Sequence, residues 1–315
     1  MDSYIVTSGA KYMDIDAFSC SLAMSQLLTL IGRESYSVHT APLNHSITAS
    51  LRKMPLNYET NFSRSLNRKS QFIIVDTSDP DHFENFVDVN RIHSIYDHHF
   101  GHENYWQEKL GVKSKIEPVG ACATLIVEEF QAENIPISQL NNSTRILLLT
   151  AIVSNTLNFR SFLTTDRDRS AYLELLSCTI LPDSWIPDYY AEIDAQLQKD
   201  IDLTIRNDTK EVFIGDCIYV IGQLEVWDSS NLLGSHLIES FLANVPTVTP
   251  EPVWFLVISD IQNGSNRLLT RNNRAKEILE HCLDAKFIKD EAITERLWMR
   301  KEIIREIQEW HRNVN

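Results

Sequence analysis

At 315 residues the chain is too long for one average domain and comfortable for two. Its 43% hydrophobic and 23% charged content, with 9 Gly and 10 Pro, excludes a disordered or fibrous protein. A formal net charge of −14 argues against a general duplex-nucleic-acid binder, although a local Arg/Lys cluster can still hold an anionic substrate.

Tyr4-Ile5-Val6-Thr7 reads as a short strand, followed by Ser8-Gly9. From Asp16 the apolar positions Phe18, Leu22, Leu27, Leu28 and Ile31 predict a helix ending at Gly32. Phe72-Ile73-Ile74-Val75 is a continuous apolar run of the kind buried in a parallel sheet. A weaker strand, Arg91 to Tyr96, follows; helices are predicted at Ala121–Phe130 and Thr144–Val153. This alternation predicts an α/β domain with a mostly parallel sheet flanked by helices. In the second half, Glu211–Ile214, Cys217–Ile221 and Val253–Ile258 read as strands, Leu232–Leu242 as a helix and Ala292–Trp310 as a charged terminal helix. These elements predict a smaller C-terminal α/β domain. The break falls near Pro182–Asp188. The expected division is a domain over 1–187, a linker helix over 188–206 and a second domain over 207–315.

Five cysteines, none in a CxxC pair, point to free thiols in a reducing compartment rather than to disulfides or a zinc knuckle. The first residues lack the basic start and apolar run of a signal peptide, and no window offers the ~20 apolar residues of a membrane helix. A cytoplasmic protein without membrane contact is expected.

Chemistry concentrates where strands end. Asp14-Ile15-Asp16 follows the first strand, Asp76 the second and Asp97-His98-His99 the third. In an open parallel sheet ligands bind outside the carboxyl ends of the strands, so these groups would converge on one crevice. Carboxylate oxygens with imidazole nitrogen suit Mn²⁺, Mg²⁺ or Co²⁺ better than a thiolate-seeking metal. Two such ions ~3.5–4 Å apart would clamp a phosphoryl group and activate water. Each cluster also has a plain reading: Asp after a strand forms turns or caps helices, and Asp16 is placed to cap the helix that follows it.

The order of these clusters resembles the DHH phosphoesterase superfamily, whose signature triplet is Asp97-His98-His99. Val119-Gly120-Ala121-Cys122-Ala123-Thr124, then Ala151 to Phe159 and Thr164 to Asp168, are similar to motifs of the branch holding family II inorganic pyrophosphatases, exopolyphosphatases and prune-like proteins. Asp260-Ile261 and Ser265 resemble the second, DHHA2-type domain of that branch. The resemblance implies Asp97, His98 and His99 as catalytic residues. Asp14, Asp16, Asp76, His98 and Asn155 would be metal ligands for two divalent ions, Mn²⁺ foremost. His99, Arg300 and Lys301 would contact substrate phosphate. For Arg300 and Lys301 a solvated helix face is the plain alternative.

Three positions depart from the branch. Ala10 stands where pyrophosphatases carry a His ligand and their exopolyphosphatase relatives an Asn. Asn155 stands where Asp is usual, removing a charge but keeping a carbonyl oxygen. Glu192 aligns with a substrate-gripping Lys of the pyrophosphatases. The implied activity is a metal-dependent phosphoanhydride hydrolase, exopolyphosphatase-like, with an active site between two domains, acting on polyphosphate, pyrophosphate or nucleoside polyphosphates and altered or silenced at Ala10 and Asn155. Two rivals are a degenerate DHH scaffold that binds a partner and an oligonucleotide phosphodiesterase. The second rival lacks the Gly-rich segment its relatives carry, and the negative charge disfavours long nucleic acid.

Overall fold

The computed structural model describes residues 3–62, 70–247 and 251–314. The chain divides into two compact units: Met1–Phe159 with Leu163–Ile186, and Arg160–Phe162 with Pro187–Asn315.

The first unit runs β1 (Ser3–Thr7), α1 (Ile15–Leu30), β2 (Glu34–Ser37), α2 (Ala49–Arg52), β3 (Gln71–Val75), β4 (Ile92–Asp97), α3 (Glu103–Leu110), β5 (Ser114–Ile116), α4 (Cys122–Ala132), α5 (Asn142–Asn155) and α6 (Asp166–Cys178). Its five strands form one sheet in the order β2-β1-β3-β4-β5. All four pairings are parallel. Apolar side chains leave both faces of the central strands, as a sheet covered on two sides requires. On one face Ile5, Phe72, Ile74 and Ile95 pack with Trp106 of α3, whose indole N–H donates to the Ser78 carbonyl at 2.6 Å. Burying a side chain such as Phe72 contributes about 1.5–3 kcal/mol. Helices α1, α4 and α5 pack on one another, and α1 and α4 reach the sheet.

The strands predicted in this unit lie within a residue or two of the observed ones, whereas Cys217–Ile221 of the second unit runs on to Val226; the first helix starts at Ile15 because Asp14 caps it. The short edge strands β2 and β5 have no apolar run and escape the sequence pattern.

The second unit takes α7 (Trp185–Lys199) from Pro187 onward and continues with α8 (Ile201–Asn207), β6 (Thr209–Ile214), β7 (Cys217–Val226), α9 (Gly234–Leu242), β8 (Val253–Asp260), β9 (Ser265–Leu269), α10 (Asn273–Leu283), β10 (Glu291–Ile293) and α11 (Arg300–Val314). Its sheet order is β10-β9-β8-β7-β6; β7 and β8 are parallel and the other pairs antiparallel. Strand β8 is buried along its whole length. Two apolar clusters include Phe255, Val257 and Ile303 in one and Leu224, Phe241 and Leu256 in the other.

Two expectations need correction here. The helix over 188–206 is two helices, interrupted at Asp200, whose carboxylate accepts from Leu203 N at 3.0 Å and starts α8. The terminal helix begins at Arg300, not Ala292. Residues 291–293 pair with β9 as an edge strand, and Glu302 closes the start of the helix by accepting from Met299 N at 2.9 Å.

Candidate metal centre

Three strand ends and one helix start build the site. Asp14 is the N-cap of α1 and accepts from Ala17 N at 2.9 Å. The cap expected of Asp16 is therefore made by Asp14. Asp16, fully buried in the first turn, caps a different helix. Its carboxylate accepts from Cys122 N at 2.7 Å and Ala123 N at 2.8 Å, at the start of α4, where the N-cap Ala121 has no side-chain acceptor. The positive end of that helix favours the anion. Burial nevertheless raises the Asp16 pKa, with Asp14 adding to it, against the opposing effects of His98 and the two backbone donors.

Asp76 follows β3 with φ +58°, a left-handed conformation that a residue with a Cβ adopts at a cost. Its backbone N–H donates to Tyr96 O at 2.8 Å, which fixes the turn. The carboxylate is almost wholly buried, and its Oδ1 has no hydrogen-bond partner among the described residues. Burial foremost, then the Asp16, Asp14 and Asp97 carboxylates, push its pKa well up.

The triplet at the end of β4 divides its roles. Asp97 is buried and turned back on its own loop. Its Oδ1 accepts from His98 N at 2.8 Å, His99 N at 3.1 Å and His99 Nδ1 at 2.8 Å. Burial would raise its pKa, but the His99 contacts outweigh it and the net shift is downward. His98 Nδ1 lies 3.0 Å from Val119 O, a group that can only accept, so Nδ1 carries the proton. That leaves His98 Nε2 as a lone pair, 3.4 Å from Asp76 Oδ1 and 4.0 Å from Asp16 Oδ2. A carbonyl that fixes the tautomer of an imidazole in this way is the usual support of a metal-binding His. Donor atoms of Asp76, His98 and His99 all lie within 4.8 Å of one another. A buried carboxylate oxygen without a hydrogen bond, facing an imidazole lone pair, is a costly arrangement that a divalent cation relieves. The oxygen and nitrogen donors fit Mn²⁺ or Mg²⁺.

The remaining candidates stand as follows. Asn155 is the last residue of α5 and its amide donates to Ala151 O at 3.3 Å. Ala10 has no side-chain donor atom; its backbone N–H donates to His82 O at 2.9 Å. In the second unit, Arg300 opens α11, and its guanidinium donates to Asp208 O and Asp208 Oδ1, both at 2.6 Å. Lys301 beside it is exposed. Glu225 belongs to the same neighbourhood: burial, then Asp208, push its pKa up to about 7 against Gln223 and Arg300.

One residue that supports the site is missed as such by sequence reasoning. Asp168, fully buried in the first turn of α6, accepts from Gly120 N, Thr124 Oγ1, and Thr165 N and Oγ1 at 2.6–3.0 Å. It holds the loop whose next carbonyl, Val119 O, orients His98. The signal was present as Thr165-x-x-Asp168, a capping-box pattern.

Comparison with known proteins bears on the family and the fold. Residues 4–152 match the profile described as "DHH family, N-terminal domain". A "Probable manganese-dependent inorganic pyrophosphatase" of Exiguobacterium sp. (strain ATCC BAA-1283 / AT1b) is 24% identical over 269 residues, 85% of either chain. Among solved structures, a Methanococcus jannaschii protein assigned to the family II inorganic pyrophosphatases superposes with a TM-score of 0.65 at 22% identity, over 98% of this chain and 99% of its own. An exopolyphosphatase-related protein from Bacteroides fragilis gives 0.53 at 10% identity, over 99% of this chain and 93% of its own. Asp97-His98-His99, at the end of the parallel strand β4, falls within residues 4–152, the stretch that matches the N-terminal domain of the DHH family.

Proposed function

We propose that the protein is a divalent-metal-dependent phosphoanhydride hydrolase, with Mn²⁺ as its preferred ion. The observation that carries this reading is the convergence of Asp76, His98 and His99 within 4.8 Å, with Asp76 Oδ1 buried and without a hydrogen bond among the described residues. The manganese-dependent pyrophosphatase named above, aligned over 85% of either chain, supports the metal and makes pyrophosphate the first substrate to test. The exopolyphosphatase-related fold neighbour keeps polyphosphate second.

Asp14, Asp16, Asp76 and His98 would hold the metal, with Asn155 offering an uncharged carbonyl oxygen. Bound ions supply positive charge for the phosphoryl oxygens and acidify water. His99 is half-exposed and held through Nδ1 by Asp97; only as an imidazolium would it also donate from its other nitrogen to a phosphate oxygen. Arg300 spends two of its five N–H groups on Asp208 and Lys301 beside it is exposed; we assign phosphate contacts to both, bidentate for Arg300 and point-charge for Lys301.

The test is phosphate release from pyrophosphate, tripolyphosphate and long polyphosphate with Mn²⁺, Mg²⁺ or Co²⁺. Release is expected with Mn²⁺, falling at least about 100-fold in Asp76→Asn and His98→Gln. Activity confined to Asn155→Asp would mean that Asn155 silences a hydrolase. No release from any of these proteins, with Ala10→His added, would overturn the reading.

A further inference from the structure

Strand β4 carries chemistry at both ends. The metal centre follows its carboxyl end; His93 and Ser94, at its amino end, line a cavity of about 250 Å³ under the C-terminal ends of α1 and α4. Three features of this cavity point to a ligand. Its floor is apolar, formed by Leu27 and Leu28 of α1 and Ile73 of β3. One corner is cationic: Arg33 and Lys113 are exposed, and neither has a carboxylate within ion-pair distance among the described residues, whereas the neighbouring Lys115 is neutralised by Glu129. Lys113 Nζ lies 3.5 Å from His93 Nδ1, and burial followed by the charges of Lys113 and Arg33 holds the His93 pKa down. The corner is therefore already rich in positive charge. Finally, Ser94 is 3% exposed; its Oγ meets no partner at full hydrogen-bond geometry among the described residues and has only a weak contact with the Tyr96 phenol, whose pKa is pushed up, by burial foremost.

A buried hydroxyl this weakly bonded in the wall of a cavity can turn to a better acceptor. We infer that this cavity is a second binding site, taking a small organic anion whose apolar body rests on Leu27, Leu28 and Ile73 and whose carboxylate or phosphate faces Arg33 and Lys113, with Ser94 donating to it. The volume is below that of a drug-sized pocket, which limits the ligand to one ring or a short chain. Glu133, an exposed carboxylate that also lines the cavity, would repel the anion, which belongs with Arg33 and Lys113 instead. The site is independent of the hydrolase reading, since it uses none of the residues assigned to the metal.

Calorimetric titration with phenylacetate tests it, with 2-phenylethanol as the uncharged isostere and inorganic phosphate as the bare anion. Phenylacetate is expected to bind at least about tenfold more tightly than either control, and Lys113→Ala, Arg33→Ala and Ser94→Ala are each expected to weaken it about fivefold or more. Leu28→Trp, which fills the floor, is expected to abolish binding, and Asp76→Asn to leave it unchanged. Equal binding of 2-phenylethanol would reduce the site to an apolar hole and overturn the proposal. So would no binding at all, binding insensitive to Lys113→Ala and Arg33→Ala, or binding lost in Asp76→Asn. The two cation variants alter exposed side chains, so they decide the matter even if Ser94→Ala or Leu28→Trp fails to fold.

Discussion

His39 is 2% exposed, and its Nε2 sits 2.6 Å from Ser21 Oγ and 2.8 Å from Ser37 Oγ, while Nδ1 has no partner among the described residues. Burial lowers its pKa to about 3, so it stays neutral in the folded protein at any pH near neutrality. In the unfolded chain it regains the ordinary value of about 6.5. Above about pH 6.5 both states are neutral and the residue has no effect on pH dependence. As pH falls toward 3 the unfolded chain takes a proton that the folded one refuses, and stability is lost at about 1.4 kcal/mol per unit. Urea unfolding of the wild type and His39→Gln between about pH 6 and pH 4 checks this: the variant's stability should fall less steeply by about that slope. Equal slopes would mean that His39 is not held neutral. At this scale the sequence speaks unevenly. It shows that Asp97-His98-His99 is unusual, but not that Asp97 is spent on the backbone of its own loop, because that depends on which way a single carboxylate turns. His39 reads as an isolated residue, since Ser21 and Ser37 reach it from different elements.

The start of α4 is held by two carboxylates borrowed from elsewhere, Asp16 of α1 and Asp168 of α6. Helix ends leave unsatisfied N–H groups, and here the supply comes from residues distant in sequence. Asp168→Asn keeps the shape but removes half the acceptor capacity at a fully buried point. It is expected to lower stability by about 2–3 kcal/mol and to weaken Mn²⁺ binding about tenfold, through the drift of Val119 O away from His98. Thermal unfolding with and without Mn²⁺ measures both. A variant that loses stability but binds Mn²⁺ as before would make Asp168 structural only. Elements with strong local patterns were legible: Phe72–Val75 is apolar throughout, and Thr144–Val153 is too long an apolar run for a strand. Strands β5 (Ser-Lys-Ile) and β2 (Glu-Ser-Tyr-Ser) were not, because a short edge strand takes its conformation from its neighbour. The interruption at Asp200 was hidden for the opposite reason: the residues around it are good helix formers, and a single cap divides them.

Each unit has its own sheet, and both apolar clusters of the second unit lie entirely within residues 187–315. A segment that closes its own core can fold by itself. A fragment spanning 187–315 is therefore expected to show strand-rich circular dichroism and one cooperative unfolding transition; a gradual, structureless melt would contradict it. Pro182–Asp188 marked the boundary region in the sequence, but the excursion of Arg160–Phe162 into the second unit carries no local signal. Among the described residues no helix is long and apolar enough to cross a membrane. The left-handed turn at Asp76 has a further meaning for descent. Glycine would occupy φ +58° without strain, so selection for the fold alone pulls this position toward Gly or Asn. On the proposed reading of Asp76 as a metal ligand, exchanging it for Gly or Asn eases the backbone and forfeits the carboxylate, so stability and metal affinity are expected to move in opposite directions at this one position.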